Sequence, residues 1–388
     1  MKSEWETKRL REVCTTIQDG AHESPKKQFD TSGEGRFLYI TSKNIRTNYI
    51  DLDNVSYVEK DFHDRIYPRC RPQLGDVLLT KDGANTGNVA LNTIDEPFSL
   101  LSSVCLIKTD SNILQPSFLC YYLQSPDGLK SITGQMTGAA IKRIILRDIK
   151  LATIPLPPPI DQRRIVRVLD KTFEGIATAK ANAETNLQNA RALFKSEVNS
   201  IFSRRGHDWV TKTIDEISTN LDSKRIPVTK SDRKSGAYRY YGASGIVDYV
   251  ADYIFDGDAL LVSEDGANLL MRSTPIAFSV SGKYWVNNHA HILKFDNMAT
   301  QRFVEFYLES VDLKEYIRGA AQPKLTQQAL NAIPIPIPAS TEAQRKIVES
   351  IEALYTETQH LEGIYEQKLV ALDALKKSLL HQAFTSKL

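Results

Sequence analysis

The stretch IPLPPPIDQRRIV, residues 154–166, recurs later in the chain as IPIPIPASTEAQRKIV, residues 333–348. Each copy opens with a proline strap, 154–159 or 333–338, in which closely spaced prolines remove backbone donors and impose an extended geometry. Such a strap cannot be a helix or the central strand of a sheet, and we interpret it as a stiff linker. About 42 to 45 residues without a proline follow each strap. The repeat therefore predicts two related halves, each ending in a long helix.

Five further blocks recur in the same order ahead of the straps. They pair residues 5–13 with 209–217, 75–79 with 257–261, 82–85 with 265–268, 118–123 with 303–308, and 138–140 with 319–321. The shared positions are glycines and aliphatic residues that are typical of a framework, whereas the segments between them diverge. We therefore expect a common framework whose loops serve different purposes in the two halves. A gene fusion without functional content is the alternative interpretation.

Positions that are mostly apolar recur at alternating spacings of three and four after each strap, which is the heptad signal of a coiled coil. The first series is Val166, Leu169, Phe173, Ile176, Lys180, Ala183, Leu187, Ala190, Phe194, Glu197 and Ile201, and the second is Ile347, Ile351, Leu354, Thr358, Leu361, Tyr365, Lys368, Leu372, Leu375, Leu379 and Gln382. Amphipathic surface helices, the alternative, usually run about 8 to 20 residues. We predict that the two helices pair with each other, antiparallel, because this places the globular segments at opposite ends of a rod of about 60 Å.

The globular segments are predicted to mix helices and strands. Short β-rich runs at 77–79, 104–107 and 290–293 alternate with turns, and helices are expected at 116–132 and 301–317. The predicted fold class is α+β, with two mixed α/β domains separated by a long antiparallel two-helix coiled coil and related by a pseudo-two-fold repeat. The predicted boundaries are 1–155 for the first domain, 156–205 for the first strap and helix, 206–335 for the second domain, and 336–388 for the second strap and helix.

Composition excludes several classes of protein. The chain has 388 residues, 49 Lys and Arg, 47 Asp and Glu, and a net charge of +2. It contains no apolar run of about 18 residues and no apolar centre of a signal peptide near its start, so we expect a cytoplasmic protein. Its four cysteines, Cys14, Cys70, Cys105 and Cys120, form no C-x-x-C pair. We expect them to be reduced and to form neither a disulfide framework nor a zinc site.

Catalytic motifs are missing from the sequence. It contains no phosphate loop of the form G-x-x-x-x-G-K-[ST], no strand followed by G-x-G-x-x-G, no H-E-x-x-H and no G-x-S-x-G. His289 and His291 could share one face of a strand and hold a metal, but no further Cys, His or arranged carboxylate accompanies them. We therefore predict a hydrogen-bonded structural role for this pair, no metal site and no cofactor.

Basic and hydrogen-bonding side chains are concentrated in the loops between the framework blocks. Lys and Arg neutralise phosphates and can reach guanine, whereas Asn and Gln can read adenine. The candidate DNA-binding residues are Lys26, Lys27, Lys43, Asn44, Arg46, Arg65, Tyr67, Arg69, Asn85, Lys142 and Arg143 in the first half, and Lys224, Arg225, Arg233, Arg239, Tyr240, Tyr241, Ser244, Asn268, Gln322 and Lys324 in the second. A solvated loop without function is the alternative for any single residue.

Neither globular segment is basic as a whole. Residues 1–155 hold 20 basic and 19 acidic side chains, and residues 206–338 hold 14 and 16. Counterion release alone would then give weak binding, so we expect tight DNA binding to need other subunits that supply cationic surface.

Over nearly its whole length, the sequence resembles the specificity subunits of type I restriction-modification enzymes. The resemblance is carried by the Trp-x-x-Lys blocks, the straps, the Gln-Arg-[Arg/Lys]-Ile-Val starts, the long helices, and segments 241–246, 255–258, 264–267 and 287–291 of the second half. The first half departs from the pattern, with YITSKNI at 39–45 where the second half has YGASGI at 241–246. The two domains therefore resemble different recognition subtypes.

The resemblance implies a non-catalytic subunit in which each domain reads one half of a split DNA sequence. It further implies that the helical pair sets the spacer, that two methyltransferase subunits dock on that pair, and that nuclease-translocase subunits join the complex. The main rival is a coiled-coil adaptor for proteins that does not read bases. A nuclease site hidden in the loops has little support, because acid-x-Lys fragments such as 222–224 arise readily by chance in so charged a chain.

Overall fold

The computed structural model describes residues 5–133, 143–319 and 321–385. The chain forms two compact units, the first made of Met1–Ala183 and Gln367–Leu388 and the second of Glu184–Glu366. Each unit contains one globular segment and a portion of both long helices. The division lies inside the helices, whereas the boundaries predicted from the sequence lie in the straps and at the end of the first long helix.

The first unit combines short strands with mostly short helices. Its strands are β1 (Glu6–Arg9), β2 (Cys14–Asp19), β3 (Arg36–Ile40), β4 (Ile45–Arg46), β5 (Tyr49–Ile50), β6 (Ser56–Glu59), β7 (Val77–Thr80), β8 (Val89–Leu91), β9 (Ser99–Leu100), β10 (Val104–Thr109) and β11 (Thr153–Leu156). Its helices are α1 (Leu10–Val13), α2 (Lys60–Ile66), α3 (Pro116–Gln124), α4 (Pro126–Thr133) and α5 (Leu146–Leu151), and the long helix α6 (Pro159–Ser203) begins here.

The second unit follows a similar order of elements. Its strands are β12 (Trp209–Thr213), β13 (Thr219–Asn220), β14 (Ser235–Gly242), β15 (Gly245–Val250), β16 (Phe255–Asp256), β17 (Ala259–Ser263), β18 (Ala277–Val280), β19 (Lys283–Val286), β20 (Ala290–Lys294), β21 (Ile317–Arg318), β22 (Lys324–Leu325) and β23 (Pro334–Pro338). Its helices are α7 (Ile214–Ile217), α8 (Asn268–Met271), α9 (Met298–Ser310) and α10 (Gln327–Asn331), followed by the long helix α11 (Thr341–Phe384).

A four-stranded antiparallel sheet forms the centre of each unit. Its order is β2-β10-β7-β8 in the first unit and β13-β20-β17-β18 in the second. Because side chains alternate along a strand, Val77 and Leu79 of β7 pack with α3 and α6, while Leu78 faces the opposite side of the sheet. The three β-rich runs expected from the sequence are confirmed as parts of β7, β10 and β20.

A second sheet shares a core with the central sheet in each unit. It has the order β6-β3-β9 in the first unit and β15-β14-β19-β16 in the second. Each contains one parallel pair, β3 with β9 or β14 with β19. This shared architecture agrees with the repeat, and α2, which packs on β3 and β6 in the first unit, adds to the greater length of the first half.

The proline straps are paired strands as well as connections. β11 pairs with β1 and β23 pairs with β12, each in an antiparallel two-stranded sheet. A two-stranded sheet needs donors only at alternate residues, so Ile335 and Ile337 can pair while the intervening prolines cannot donate. Both isoleucines are buried. The linker interpretation was therefore incomplete, although no strap is a central strand.

A buried glutamine ties each strap to the start of its long helix. The Gln162 amide donates to the carbonyls of Pro157 at 2.8 Å and Ile113 at 2.9 Å. The Gln344 amide donates to the carbonyl of Pro338 at 2.7 Å, and its oxygen accepts from the Thr300 hydroxyl at 2.7 Å. The repeated Gln-Arg-[Arg/Lys] motif thus joins strap, helix and globular segment.

The two long helices are confirmed, at 45 residues for α6 and 44 for α11. Five positions of the predicted α6 series, Leu169, Phe173, Ile176, Ala183 and Ala190, are buried. The buried stripe then continues through Val198 and Phe202 instead of Glu197 and Ile201. A helix of 3.6 residues per turn drifts about 20° per heptad from a strict repeat, which explains the shift. On α11 the predicted positions Leu361 and Leu375 are exposed.

Within each unit, the two long helices contact each other. In the first unit the Lys180 ammonium lies 2.8 Å from the Asp373 carboxylate. In the second unit the Arg191 guanidinium lies 2.9 Å from the Glu362 carboxylate. The last turn of α11 inserts Phe384 edge-on against Phe118 and Tyr122, with ring centroids 5.1 and 5.2 Å apart.

The helix expected at 116–132 is two helices, α3 and α4. They break at Ser125, because the residue before Pro126 is sterically driven out of the helical conformation. The helix expected at 301–317 begins earlier and ends at Ser310. All four cysteines are free. Among the described residues, no helix is both long enough and apolar enough to cross a membrane.

Candidate nucleic-acid interface

In the first unit, four loops converge where β3 and β7 end, and we call them the first loop face (residues 41–44, 82–88, 101–103 and 143). The backbone N–H of Ser42 donates to the Ser103 hydroxyl at 3.1 Å, and the Asn85 amide donates to the carbonyl of Ser42 at 2.9 Å. Arg143 is bridged to Asp82 through the backbone. These bonds hold loops that are far apart in sequence against one another.

The second unit has the corresponding second loop face, which consists of residues 243–247, 264–268, 287–289 and 321–324. The Ser263 hydroxyl donates to the carbonyl of Ala243, and the backbone N–H of Glu264 donates to the carbonyl of His289 at 2.9 Å. Asp265 is bridged to Lys324 just as Asp82 is to Arg143. The two halves therefore build the same convergence of loops from different side chains.

A glycine of the repeated Asp-Gly-Ala-Asn block turns the chain in both loop faces. Gly83 has φ +99° and Gly266 has φ +107°, a backbone conformation that residues other than glycine rarely adopt. This requirement explains why the block recurs at the end of a buried strand in each half.

A buried carboxylate lies beneath the first loop face. Asp19 accepts from the Arg69 guanidinium at 2.7 Å, and the Lys81 ammonium and the His22 ring lie 3.3 and 3.1 Å away. Burial alone would raise the pKa of Asp19, but the hydrogen bonds from Arg69 and Lys81 outweigh it and hold the pKa below its ordinary value. The charged side chains thereby fix the strand ends that carry the loops.

A different charge cluster lies beneath the second loop face. Asp222 contacts the His291 ring at 2.5 Å, and Glu264 contacts the guanidinium of Arg225 at 2.6 Å and the ammonium of Lys324 at 3.0 Å. Burial alone would raise the pKa of both carboxylates. The hydrogen bond from His291 nevertheless lowers the pKa of Asp222, and the hydrogen bonds from Arg225 and Lys324 lower the pKa of Glu264.

The two histidines singled out in the sequence do not act as a pair. The His291 ring is buried between Asp222 and the carbonyl of Leu325, which is 2.8 Å from Nε2, whereas His289 is exposed and contacts Asp265 at 2.9 Å. Ligand atoms of Asp222, Glu264 and His291 lie within 4.8 Å of one another. Both ring nitrogens of His291 are engaged and Arg225 and Lys324 balance the carboxylates, so we assign no metal to this cluster.

Several predicted DNA-binding residues lie on the loop faces. These are Lys43, Asn85 and Arg143 in the first unit, and Ser244, Asn268, Gln322 and Lys324 in the second. Asn268 caps the turn at 273–274 with its side chain, and Asn85 bridges two loops, so these two support the faces. Lys43, Arg143, Ser244, Gln322 and Lys324 are exposed.

Other predicted residues are exposed elsewhere in the units or contact partners there. Lys26, Lys27, Lys224 and Arg239 are exposed, Arg65 pairs with Glu23 at 2.8 Å, Arg69 holds Asp19, and Tyr67 stacks on His63 at 4.8 Å. Lys142 lies outside the described residues, as do the repeat positions 138–140 and 320.

For six further predicted residues we revise the role to structural support. Asn44, Tyr240 and Tyr241 are buried, Arg46 pairs with Asp51, Arg225 with Glu264, and Arg233 with Asp248 while its guanidinium stacks on Tyr240 at 4.3 Å. Sequence reasoning missed Asp19, Lys81 and Ser103, because nothing in their local pattern indicates that they meet under a loop face.

Comparison with known proteins identifies the family of the chain. A family model described as "Type I restriction modification DNA specificity domain" matches residues 2–187 and 206–368. A putative type I restriction enzyme specificity subunit of Haemophilus influenzae is 37% identical over 147 residues, covering 38% of this chain and 37% of that protein. The putative MjaX specificity subunit of Methanocaldococcus jannaschii is 22% identical over 415 residues, covering 99% of this chain and 94% of that protein.

Solved structures show the same fold. A chain from work on complex assembly and conformational transition of the type I R-M system has a TM-score of 0.78 at 17% identity, covering 100% of this chain and 99% of that one. The HsdS subunit of Thermoanaerobacter tengcongensis has a TM-score of 0.64 at 16% identity, covering 100% of this chain and 98% of that subunit.

The two units share a common framework, and one DNA specificity model matches both halves. The class of protein is therefore a non-catalytic DNA specificity subunit. The chain belongs to the type I restriction modification DNA specificity family, whose model matches both halves.

Proposed function

We propose that each unit reads one half of a bipartite DNA target through its loop face. The observation that carries this proposal is that both units assemble the same four loops, with Lys43 and Arg143 exposed on one face and Ser244 and Lys324 on the other. Loops held on a rigid frame can change side chains without changing the fold. Different side chains at equivalent places suit the recognition of two different half-sites.

The long helices are proposed to form one antiparallel pair that sets the spacer between the half-sites. Lys180 of α6 pairs with Asp373 of α11 in the first unit, and Arg191 pairs with Glu362 in the second. Arg191 lies eleven residues after Lys180, and Glu362 lies eleven residues before Asp373, so the two pairs fit one antiparallel register. That constant register supports a continuous pair. A helical pair of fixed length restricts half-site separation, as dimer geometry does in other DNA-binding proteins.

Two methyltransferase subunits are proposed to dock on these helices, with nuclease-translocase subunits joining the complex. Both helices carry exposed large apolar side chains outside their mutual contacts, namely Val168 and Leu193 on α6, and Ile364 and Val370 on α11. Burial of these side chains by a protein partner would be favourable, because it removes apolar surface from water. Because neither globular segment is basic overall, partners that add cationic surface would also strengthen DNA binding.

Enrichment from a random-sequence duplex library, with the methyltransferase partner present, tests the proposal. The expected result is one bipartite sequence with a constant spacer, and methylation-sensitive sequencing of the host genome should return the same target. A protein adaptor without base readout would enrich no sequence, and that result would overturn the proposal.

A further inference from the structure

The tip of the hairpin formed by β14 and β15 exposes two consecutive large apolar side chains. Ile246 is 44% exposed and Val247 is 54% exposed. Single exposed apolar residues need no explanation, but this pair lies beside Ser244 on the second loop face. β15 is also the edge strand of its sheet, so one side of the hairpin carries no paired strand in the described part of the chain.

The hairpin tip is held firmly by its surroundings. Gly242 pairs with Gly245 across the turn, and the carbonyl of Tyr241 accepts from the backbone N–H of Asn287 at 3.0 Å. A Cβ atom at Gly242 would lie 2.8 Å from the Val247 side chain, so that side chain packs directly over the glycine. The apolar tip is therefore a built surface whose side chains have a defined position.

Cationic side chains flank the same hairpin. Arg239 is exposed and pairs across the ladder with Tyr249, which is itself half exposed. Lys234 is exposed at the base of the hairpin, and Lys283 lies over the ring of Tyr253 at 4.6 Å. A two-stranded ribbon with an apolar tip and basic flanks matches a DNA groove, where phosphates border the base edges.

The first unit has different chemistry at the equivalent place. The loop after β3 presents Lys43, while the Asn44 side chain folds back to accept from the backbone N–H of Thr41 at 3.0 Å. No large apolar side chain is exposed within residues 41–44, all of which are described. The two halves therefore differ in polarity at this place.

We propose that the tip of the β14–β15 hairpin enters the major groove and that Ile246 and Val247 contact thymine methyl groups in the half-site read by the second unit. The major groove, about 12 Å wide, admits a two-stranded ribbon, and the thymine methyl is the apolar group that it displays. This inference rests on the proposed function and names the bases that the second loop face would favour.

Duplex libraries made with thymine or with uracil provide the test, because uracil lacks only the methyl group. Wild-type protein with its methyltransferase partner should enrich a thymine in the second half-site. Replacement of that thymine by uracil should weaken binding about threefold to tenfold, as expected for one apolar contact. Val247→Thr and Ile246→Thr keep the β-branched shape and remove an apolar group. Each single variant should therefore show a smaller uracil penalty than the wild type, and the double variant should bind thymine and uracil duplexes with nearly equal affinity.

Val210→Thr is the matched control, since Val210 is 41% exposed on β12, in a different sheet. It should retain the wild-type preference for thymine. If wild-type protein enriches a bipartite target but shows no uracil penalty, or if the hairpin variants keep the full penalty, this inference is wrong while the proposed function stands. If wild-type protein enriches no bipartite target, the proposed function itself fails. Equal thermal melting midpoints for the variants and wild type would show that folding is unchanged.

Discussion

Two buried glutamines occupy equivalent positions at the starts of α6 and α11. Gln162 and Gln344 each bond to a strap carbonyl, and each also bonds to the globular segment. A buried amide with all its partners costs little, whereas its loss leaves those partners without hydrogen bonds. The sequence showed that the motif repeats, but only tertiary packing reveals that the glutamine is its structural centre.

Replacing Gln344 with Ala should lower the free energy of unfolding of the second unit by about 1 to 3 kcal/mol, because the Thr300 hydroxyl and the Pro338 carbonyl lose their partner. Urea denaturation followed by tryptophan fluorescence would measure the change. Gln328→Ala, an exposed site on α10, is the matched control and should shift the midpoint little. Equal shifts for the two variants would contradict the role assigned to Gln344.

The buried carboxylates beneath the loop faces make stability depend on pH. The folded-state pKa values of Asp222 and Glu264 lie below their ordinary values, so their contribution is fully present above the unfolded-state pKa of about 4. It is lost as the pH falls through the lower folded-state values. The thermal melting midpoint, measured from pH 7 to pH 2.5, should therefore decrease once the pH is lower than about 4.

Asp222→Asn should lower the melting midpoint at pH 7, because removing one partner of a buried pair typically costs about 3 kcal/mol, and it should make the acid decline shallower. Asp256→Asn provides the control, because Asp256 is exposed and makes no ion pair in the described part of the chain. An acid decline of unchanged steepness in Asp222→Asn would show that this carboxylate does not titrate as inferred.

At the scale of elements, periodicity located the long helices and the buried strands, because both signals depend on neighbouring residues. The strap strands were not predicted, because strand pairing depends on a partner that is distant in sequence. The break at Ser125 was not predicted, because it results from the steric effect of Pro126 and not from the periodic pattern. The loop faces were predicted only in part. Lys43 and Arg143 are a hundred residues apart, and no local pattern indicates that their loops meet.

Exposed cations on the first loop face should contribute to the salt dependence of DNA binding. Lys43→Ala and Arg143→Ala should each reduce the slope of log K against log salt by about 0.9 if each side chain neutralises one phosphate. Fluorescence anisotropy with the enriched duplex and the methyltransferase partner, at several salt concentrations, would give the slopes. Lys130→Ala, exposed on α4, should leave the slope unchanged. Wild-type slopes in all three variants would exclude the first loop face as a phosphate contact.

At the scale of the whole molecule, the constant register of the helix contacts permits a matched deletion. Removing residues 177–190 from α6 and 363–376 from α11 takes two heptads from each helix and keeps the remaining partners in register. The helices shorten by about 21 Å, which corresponds to about 6 base pairs of DNA. Library enrichment should return both original half-sites with a shorter spacer. An unchanged spacer would contradict the role of the helices as a ruler, and deletion from α6 alone is the control that should disrupt the pairing.

The seating of Phe384 against Phe118 and Tyr122 bears on how the protein is made. The first unit needs residues from both sides of the second, whereas the second is continuous in sequence. At about 5 to 20 residues per second, a ribosome needs roughly 10 to 35 s to synthesise the intervening segment. A nascent chain can thus complete its second unit while the first still lacks part of its core. The first unit therefore acquires its last core residues only after the chain of the second unit has been synthesised.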